Sequence, residues 1–325
     1  MLDIGNELQD VTRALSLPGP NPGVLDICMA PGGYSASALK YSPHAHVSGI
    51  TLPRALGGHR ALIPYGSQDS RVHVKFADIT MLAAEFGVTN IPEGHPDISN
   101  FSTERPWAAE SFDLLFCDGI VLRTHIPHVA SYREKRESTR LTCSQLILAM
   151  QRIKPGSTFI MLLHKPEMWK TMGLLSIFDK ISHIELFKPV KSHKNRSSFY
   201  LIAKNVQPNR PEAVAAINEW KAAWKNATFP SSVDEKDCGQ PDFVETHVPN
   251  EEVSNLLASF GERLIELGEP VWQIQKEALK KAPWIKNTKP GLLTRSAEQS
   301  ELQASHTPAH PADASSMMHK LQIGR

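Results

Sequence analysis

Val24-Leu25-Asp26-Ile27-Cys28-Met29-Ala30-Pro31-Gly32-Gly33-Tyr34-Ser35 is the stretch on which the reading of this chain turns. A mostly apolar run ending in small residues reads as a buried strand. The Pro-Gly-Gly turn after it leads into Ser35-Ala36-Ser37-Ala38-Leu39-Lys40, which opens a helix. A strand that turns sharply through glycines into a helix leaves backbone N–H groups free at its carboxyl end. Open α/β sheets hold nucleotide-like ligands at such ends. Glycine lets backbone approach a ligand closely, whereas Pro31 fixes φ and removes one donor. The G-x-G-x-x-G dinucleotide turn is absent here.

Working outward, apolar runs recur at His46–Leu52, Val72–Asp78, Phe112–Gly119 and Ser157–Lys165, separated by helical or looped stretches. Strands alternating with helices predict a mostly parallel, doubly wound sheet, and the final runs, 183–187 and 197–203, predict an antiparallel closing hairpin. The periodicity places helices at residues 1–16, 138–153 and 167–178. Lys154-Pro155-Gly156 reads as the stop of the second of these. Residues 88–111 are irregular, a length of loop that is uncommon without a functional reason. This fold is expected to span 1–205. A helical appendage follows over 206–286, with helices at 211–229, 251–267 and 271–279, and then a disordered tail over 287–325.

Whole-chain properties narrow the function classes. The 325 residues are 41% hydrophobic and 21% charged, with a formal net charge of +1. No global basic field advertises nucleic acid, so any such site is a local patch. Cys28, Cys117, Cys143 and Cys238 make no zinc spacing, and Cys28 and Cys117 fall on core strands. No apolar span or lipidation motif appears, which predicts a reduced compartment, cytosol or nucleus, and no membrane partner.

Leu25 to Ser35 resembles the S-adenosylmethionine loop of the FtsJ-type RNA ribose 2′-O-methyltransferases, D-L-x-A-x-P-G-G-[FW]-[ST]. Ala77-Asp78-Ile79-Thr80 resembles the family's G-D-I-T segment, and Phe112 to Gly119 its D-L-[VL]-x-[SC]-D-[GM] strand. Gln145 through Lys165 resembles its Q-L-x-x-A-x-x-x-L-K-x-G-G block, and Lys188-Pro189 with Ser197-Ser198-Phe199-Tyr200 its closing K-P…S-S-E-x-Y. The match runs in order over residues 20–204. It implies a Rossmann-like methyltransferase fold that binds S-adenosylmethionine and RNA, with ribosomal RNA processing among its roles. The cofactor residues it implies are Asp26, Ala30, Pro31, Gly32, Gly33, Tyr34, Asp78, Ile79 and Asp118, with Asp78 near the adenine.

The family's catalytic tetrad is Lys-Asp-Lys-Glu. The resemblance assigns its inner pair to Asp118 and Lys165; the Glu position falls on Ser198, and residues 1–25 hold no lysine. A ribose hydroxyl is a weak acid, so attack on a sulfonium methyl needs a base and an aligned geometry. A lysine near its ordinary pKa of about 10.4 is mostly protonated and needs that value lowered. His164 and His193 are the other groups available. RNA contact is expected from Lys188, Lys191, Lys194 and Arg196, a run without an acid, and a second cluster holds Arg133, Lys135, Arg136 and Arg140. Tyr34, Tyr132 and Trp169 are placed for base stacking. The rival functions are a non-catalytic cofactor- or RNA-binding relative and a small-molecule methyltransferase.

Overall fold

Seven strands form one sheet: β1 (Gly23–Ile27), β2 (His46–Thr51), β3 (Val72–Phe76), β4 (Phe112–Cys117), β5 (Ile153–His164), β6 (His183–Phe187) and β7 (Ser198–Val206). The structure, a computed structural model, describes residues 1–229 and 250–282. The strand order is β3-β2-β1-β4-β5-β7-β6. β1 to β5 are parallel, and β7 runs antiparallel to both β5 and β6. The parallel sheet and its closing hairpin are therefore as the hydrophobic pattern predicts. The order reverses between β1 and β4, and their carboxyl ends open the crevice that such a reversal produces.

Alternation along each strand divides the core. Leu25, Ile27, Leu115, Phe159 and Met161 face one layer of helices: α3 (Glu137–Met150), α4 (Trp169–Ile181), α5 (Pro211–Thr228) and α6 (Asn250–Lys280). Val24, Leu114, Phe116, Ile160 and Ile202 face the other way, toward α1 (Leu2–Thr12) and α2 (Gly33–Tyr41). Both faces are covered, which is why these strands read as continuous apolar runs.

Two expectations are corrected. Lys154-Pro155-Gly156 does not merely end a helix: α3 stops at Met150, and these residues already belong to β5, with Gly156 at φ 86° and a register shift opposite Phe112 and Leu114. The helices expected at 251–267 and 271–279 are one helix, α6, which passes through Pro270. The helical appendage expected from residue 206 packs on the sheet. Ala213 and Trp224 of α5 and Phe260, Leu264, Leu267 and Val271 of α6 lie in the same core cluster as the sheet, and Met1–Ala278 is one compact unit. A second unit begins at Leu279, and the expected tail, 287–325, lies outside the described residues. No described helix is long and apolar enough to cross a membrane.

Candidate active site

A cleft of about 930 Å³ opens along the carboxyl edge of the sheet. Ala30 and Pro31 enter it from the turn after β1, Asp78 and Ile79 from the turn after β3, and Asp118 and Gly119 from the end of β4. Leu162 and His164 line it from β5, Ser198 and Tyr200 from β7, and His193 and Arg196 from the connection between β6 and β7.

Beneath the first turn the expected cofactor residues divide. Asp26 is 2% exposed and does not line the cleft; its carboxylate accepts from the Ser35 hydroxyl at 2.5 Å. Burial lifts its pKa to about 6 against the Ser35 bonds that lower it, so its work is to anchor the first turn of α2. Tyr34 is likewise buried, stacked on Phe116 with centroids 5.3 Å apart and hydrogen-bonded through its hydroxyl to Tyr200. Only Tyr200 of that pair reaches the cleft. Gly32 takes φ 99° as the N-cap of α2, a conformation suited to glycine. A Cβ on Gly32 meets the Ile63 side chain, and one on Gly33 meets Met1 and Leu2. The space that makes these glycines necessary is filled by the protein itself, so the expected close approach of a ligand is not what the glycine Cβ directions serve.

The Asp78 turn is held from several sides. Asp78 Oδ1 accepts from the Thr80 backbone N–H at 2.9 Å and its hydroxyl at 2.8 Å, capping the short 3-10 turn Ile79–Met81. The Thr80 carbonyl accepts in turn from Arg140 Nη2 at 3.0 Å and Trp224 Nε1 at 3.1 Å. Arg140 pairs with Glu137 at 2.6 Å, Glu137 with Arg133 at 2.8 Å, and Arg133 with Asp97 at 2.9 Å. All four of these charged side chains are buried. Arg133 and Arg140 are therefore structural, and the second basic cluster loses two members as a nucleic-acid surface. Tyr132 belongs to the same network, its hydroxyl donating to Asp97 at 2.8 Å. Trp169 packs against the core cluster.

Asp118 is the chemically exposed point of the cleft floor. Its Oδ1 is buried without a hydrogen-bond partner. Burial first, and the Asp26 charge second, push its pKa up to about 8. The next residue, Gly119, is fixed at both backbone groups by the Gln145 side chain, at 2.8 and 3.0 Å. Gln145 supports the site from α3 without lining the cleft, a role that its place in the family block does not announce. An orphaned buried carboxyl in a largely apolar cleft is a partner awaiting a donor, and an ammonium group satisfies it best. The cleft thus fits S-adenosylmethionine, which carries an α-amino group and an adenosine, with Asp118 and Asp78 at different walls.

Asp118 and Lys165 do not converge. Cys117 of β4 pairs with Met161 of β5, so Leu162 stands level with Asp118. Lys165 is three residues farther on, roughly 10 Å at strand rise. It is exposed, adopts φ 48° past the end of the strand, and does not line the cleft. Lys188 is not on the surface: it is 3% exposed, and its ammonium donates to the carbonyls of Arg196 at 2.6 Å and Ser198 at 2.8 Å. Burial lowers its pKa to about 8. The neck of the basic loop is thus tied by Lys188, while Lys191, Lys194 and Arg196 are exposed on it. Glu7 of α1 holds the same loop through the Val190 N–H at 2.8 Å.

Two solved structures overlap loosely with this chain. A Plasmodium falciparum protein, provisionally assigned as a ribosomal RNA methyltransferase, is 19% identical over 62% of this chain and 93% of its own, with a TM-score of 0.39. A Listeria monocytogenes protein, provisionally assigned as a class I S-adenosylmethionine-dependent methyltransferase, is 13% identical over 68% and 70%, with a TM-score of 0.42. A comparison with curated proteins finds no match. The sequence pattern of FtsJ-like methyltransferases, by contrast, matches residues 6–206, more than half of the chain. This chain belongs to the FtsJ-like methyltransferase family, whose methyl donor is S-adenosylmethionine.

Proposed function

We propose that this methyltransferase acts on the 2′-hydroxyl of a ribose in RNA. The observation that carries the reading is the loop between β6 and β7. It sets Lys191, Lys194 and Arg196 in solvent, and of the same loop Arg196 and His193 line the cleft. Three cations without an acid among them suit a phosphate backbone, and a net charge of only +1 over the whole chain leaves the patch local.

The bound donor supplies an electrophilic methyl group on a sulfonium. Asp118 would hold its ammonium and Asp78 and Ile79 would border its nucleoside, with Ala30 and Pro31 lining the cleft beside them. Asp26, Gly32, Gly33 and Tyr34 act through these residues by fixing the turn and the floor. The β5–β7 wall orients the acceptor, and its apolar Leu162 keeps water from the reacting end.

Purified protein incubated with methyl-labelled donor and total RNA tests this. Label is expected in nuclease-sensitive product, and alkaline hydrolysis should leave it in dinucleotides, because a methylated 2′-oxygen cannot attack its phosphate. Label in nuclease-resistant product points to a small-molecule acceptor. The observation favouring a non-catalytic reading is the pair Leu162 and Ser198, an aliphatic and a hydroxyl side chain at cleft positions. No transfer to any RNA, with donor binding intact by calorimetry, makes that the better reading.

A further inference from the structure

A methyl acceptor hydroxyl needs a proton acceptor, and no lysine is among the described residues that line the cleft. Most basic or acidic groups nearby are otherwise disposed, and His193, which also lines the cleft, is exposed on the loop between β6 and β7 at φ 57°, off the paired strands. Lys165 lies beyond the strand end. The Lys188 ammonium is spent on two carbonyls. Arg196 keeps its proton in any protein environment. Asp118 sits on the floor where the ammonium of the donor is received. His59, His125 and His128 belong to the other wall: the charges that His125 feels include Asp78, Glu137 and the two other histidines.

His164 is different. β5 is paired through this point, and alternation puts residues 160, 162 and 164 on one face. Ile160 and Leu162 face that core layer and Leu163 the opposite one, so His164 is the next cleft-side residue after Leu162. Its cross-strand partner is Ser198, and that of Leu162 is Tyr200; all four line the cleft. The strand end is fixed: the His164 carbonyl accepts from Thr171 on α4 at 2.9 Å, and the Lys165 N–H bonds the Ser197 carbonyl at 3.0 Å.

We propose that His164 is the proton acceptor of the transfer, an inference that rests on the RNA 2′-hydroxyl reading above. The ribose oxygen forms the new bond to the methyl carbon, and the methyl–sulfur bond breaks with its electron pair passing to sulfur. The hydroxyl proton goes to an imidazole nitrogen, leaving imidazolium, which solvent at the exposed rim deprotonates. Ser198 is the cross-strand partner of His164 and lines the cleft beside it. The ring must be neutral to act. Partial desolvation, then the charges of Lys188 and Arg196, hold its pKa below the usual imidazole value, which favours the neutral form at pH 7. Asp118 at the end of β4, Tyr200 on β7 and His193 on the loop are the other titratable groups sharing this part of the cleft.

Steady-state methylation of RNA by His164→Ala tests the assignment. kcat should fall roughly 10²–10³-fold with the RNA KM nearly unchanged, and added imidazole should restore part of the rate in His164→Gly. The acid limb of the parent's pH–rate profile should vanish in His164→Gln. Independently of turnover, the His164 proton resonance, identified by its loss in His164→Gln, should titrate below the usual imidazole range and move when single-stranded RNA is added without donor. A His164→Ala rate within twofold of the parent, or no imidazole rescue with an unchanged pH profile, overturns the assignment while leaving the RNA reading in place. A parent that methylates no RNA overturns the RNA reading and this inference with it.

Discussion

The two walls of the cleft are built on opposite principles. On the Asp78 side, four buried charges from loop 88–111, the segment before α3 and α3 itself are closed into one chain of ion pairs. Their end is fastened to the Thr80 carbonyl. On the β5–β7 side the cations of the loop stand in solvent, and the buried ammonium of Lys188 ties backbone. One wall is preorganised, as recognition of a single small donor requires. The other keeps charge available for a flexible polyanion whose counterions it must displace. Rigidity is invested where the ligand is constant.

The largest effect should come from breaking the closed wall. Arg140 is fully buried and bonds Glu137, Thr80 and Thr228. Arg140→Met leaves Glu137 with Arg133 alone and takes the guanidinium bonds from Thr80 and Thr228, and a loss of about 3 kcal/mol is expected. Thermal and urea unfolding measure it, and a change under 1 kcal/mol would show that the network carries little of the wall.

Asp118→Asn sharpens the contrast at the floor. The folded pKa, about 8, lies above the unfolded value near 3.8. The native state then holds the extra proton between those values, and its stability falls as pH rises from 4 to 8. Asparagine does not titrate, so the variant should lose this slope and gain on the order of 2–3 kcal/mol at pH 8. Donor affinity should instead weaken by about tenfold or more, since the ammonium loses a charged partner. In the parent, donor binding should tighten from pH 6 to 8 and release a proton, which calorimetry in buffers of different ionisation enthalpy detects. A pH-independent affinity would remove Asp118 from donor binding.

The open wall should respond in salt dependence, with stability almost untouched. Lys191→Ala/Lys194→Ala/Arg196→Ala should reduce the slope of log affinity for single-stranded RNA against log salt by about 2, from roughly 0.7 per phosphate contact. Unfolding midpoints should stay within about 0.5 kcal/mol of the parent. An unchanged slope returns the loop to a solvated connection.

The smallest effect is expected at Lys165. Its exposed position beyond the strand end predicts methyl transfer by Lys165→Ala within about twofold of the parent, since surface substitutions away from a site are near neutral. A loss of a hundredfold would place it in the cleft after all.

Why Lys165 was legible as a candidate and yet misplaced is instructive. The apolar run from Phe159 to Leu163 identifies a core strand, but both of its faces are buried, so no alternation reports which residues point where. That phase comes from pairing with β4 and β7, through Cys117–Met161 and Leu162–Tyr200. Arg133 and Arg140 failed for a related reason: Asp97 and Thr80 are 36 and 60 residues away from them. Spacing along the chain cannot reveal such partners. What was legible was local: the glycine turn, the strand ends at Asp78 and Asp118, and the alternation of strands with helices. Lys188 was read as one of four equivalent cations, because burial is not written in a charge run.

The Thr80 carbonyl has a consequence for how the molecule signals its own state. Arg140 and Trp224 both donate to it, and Trp224 lies on α5, past the segment that the family pattern matches. The nucleoside wall and a helix from outside that segment therefore share one acceptor atom. Hydrogen exchange along α5 is expected to slow when donor is added, and an exchange rate that donor leaves unchanged would show that the shared acceptor carries no coupling.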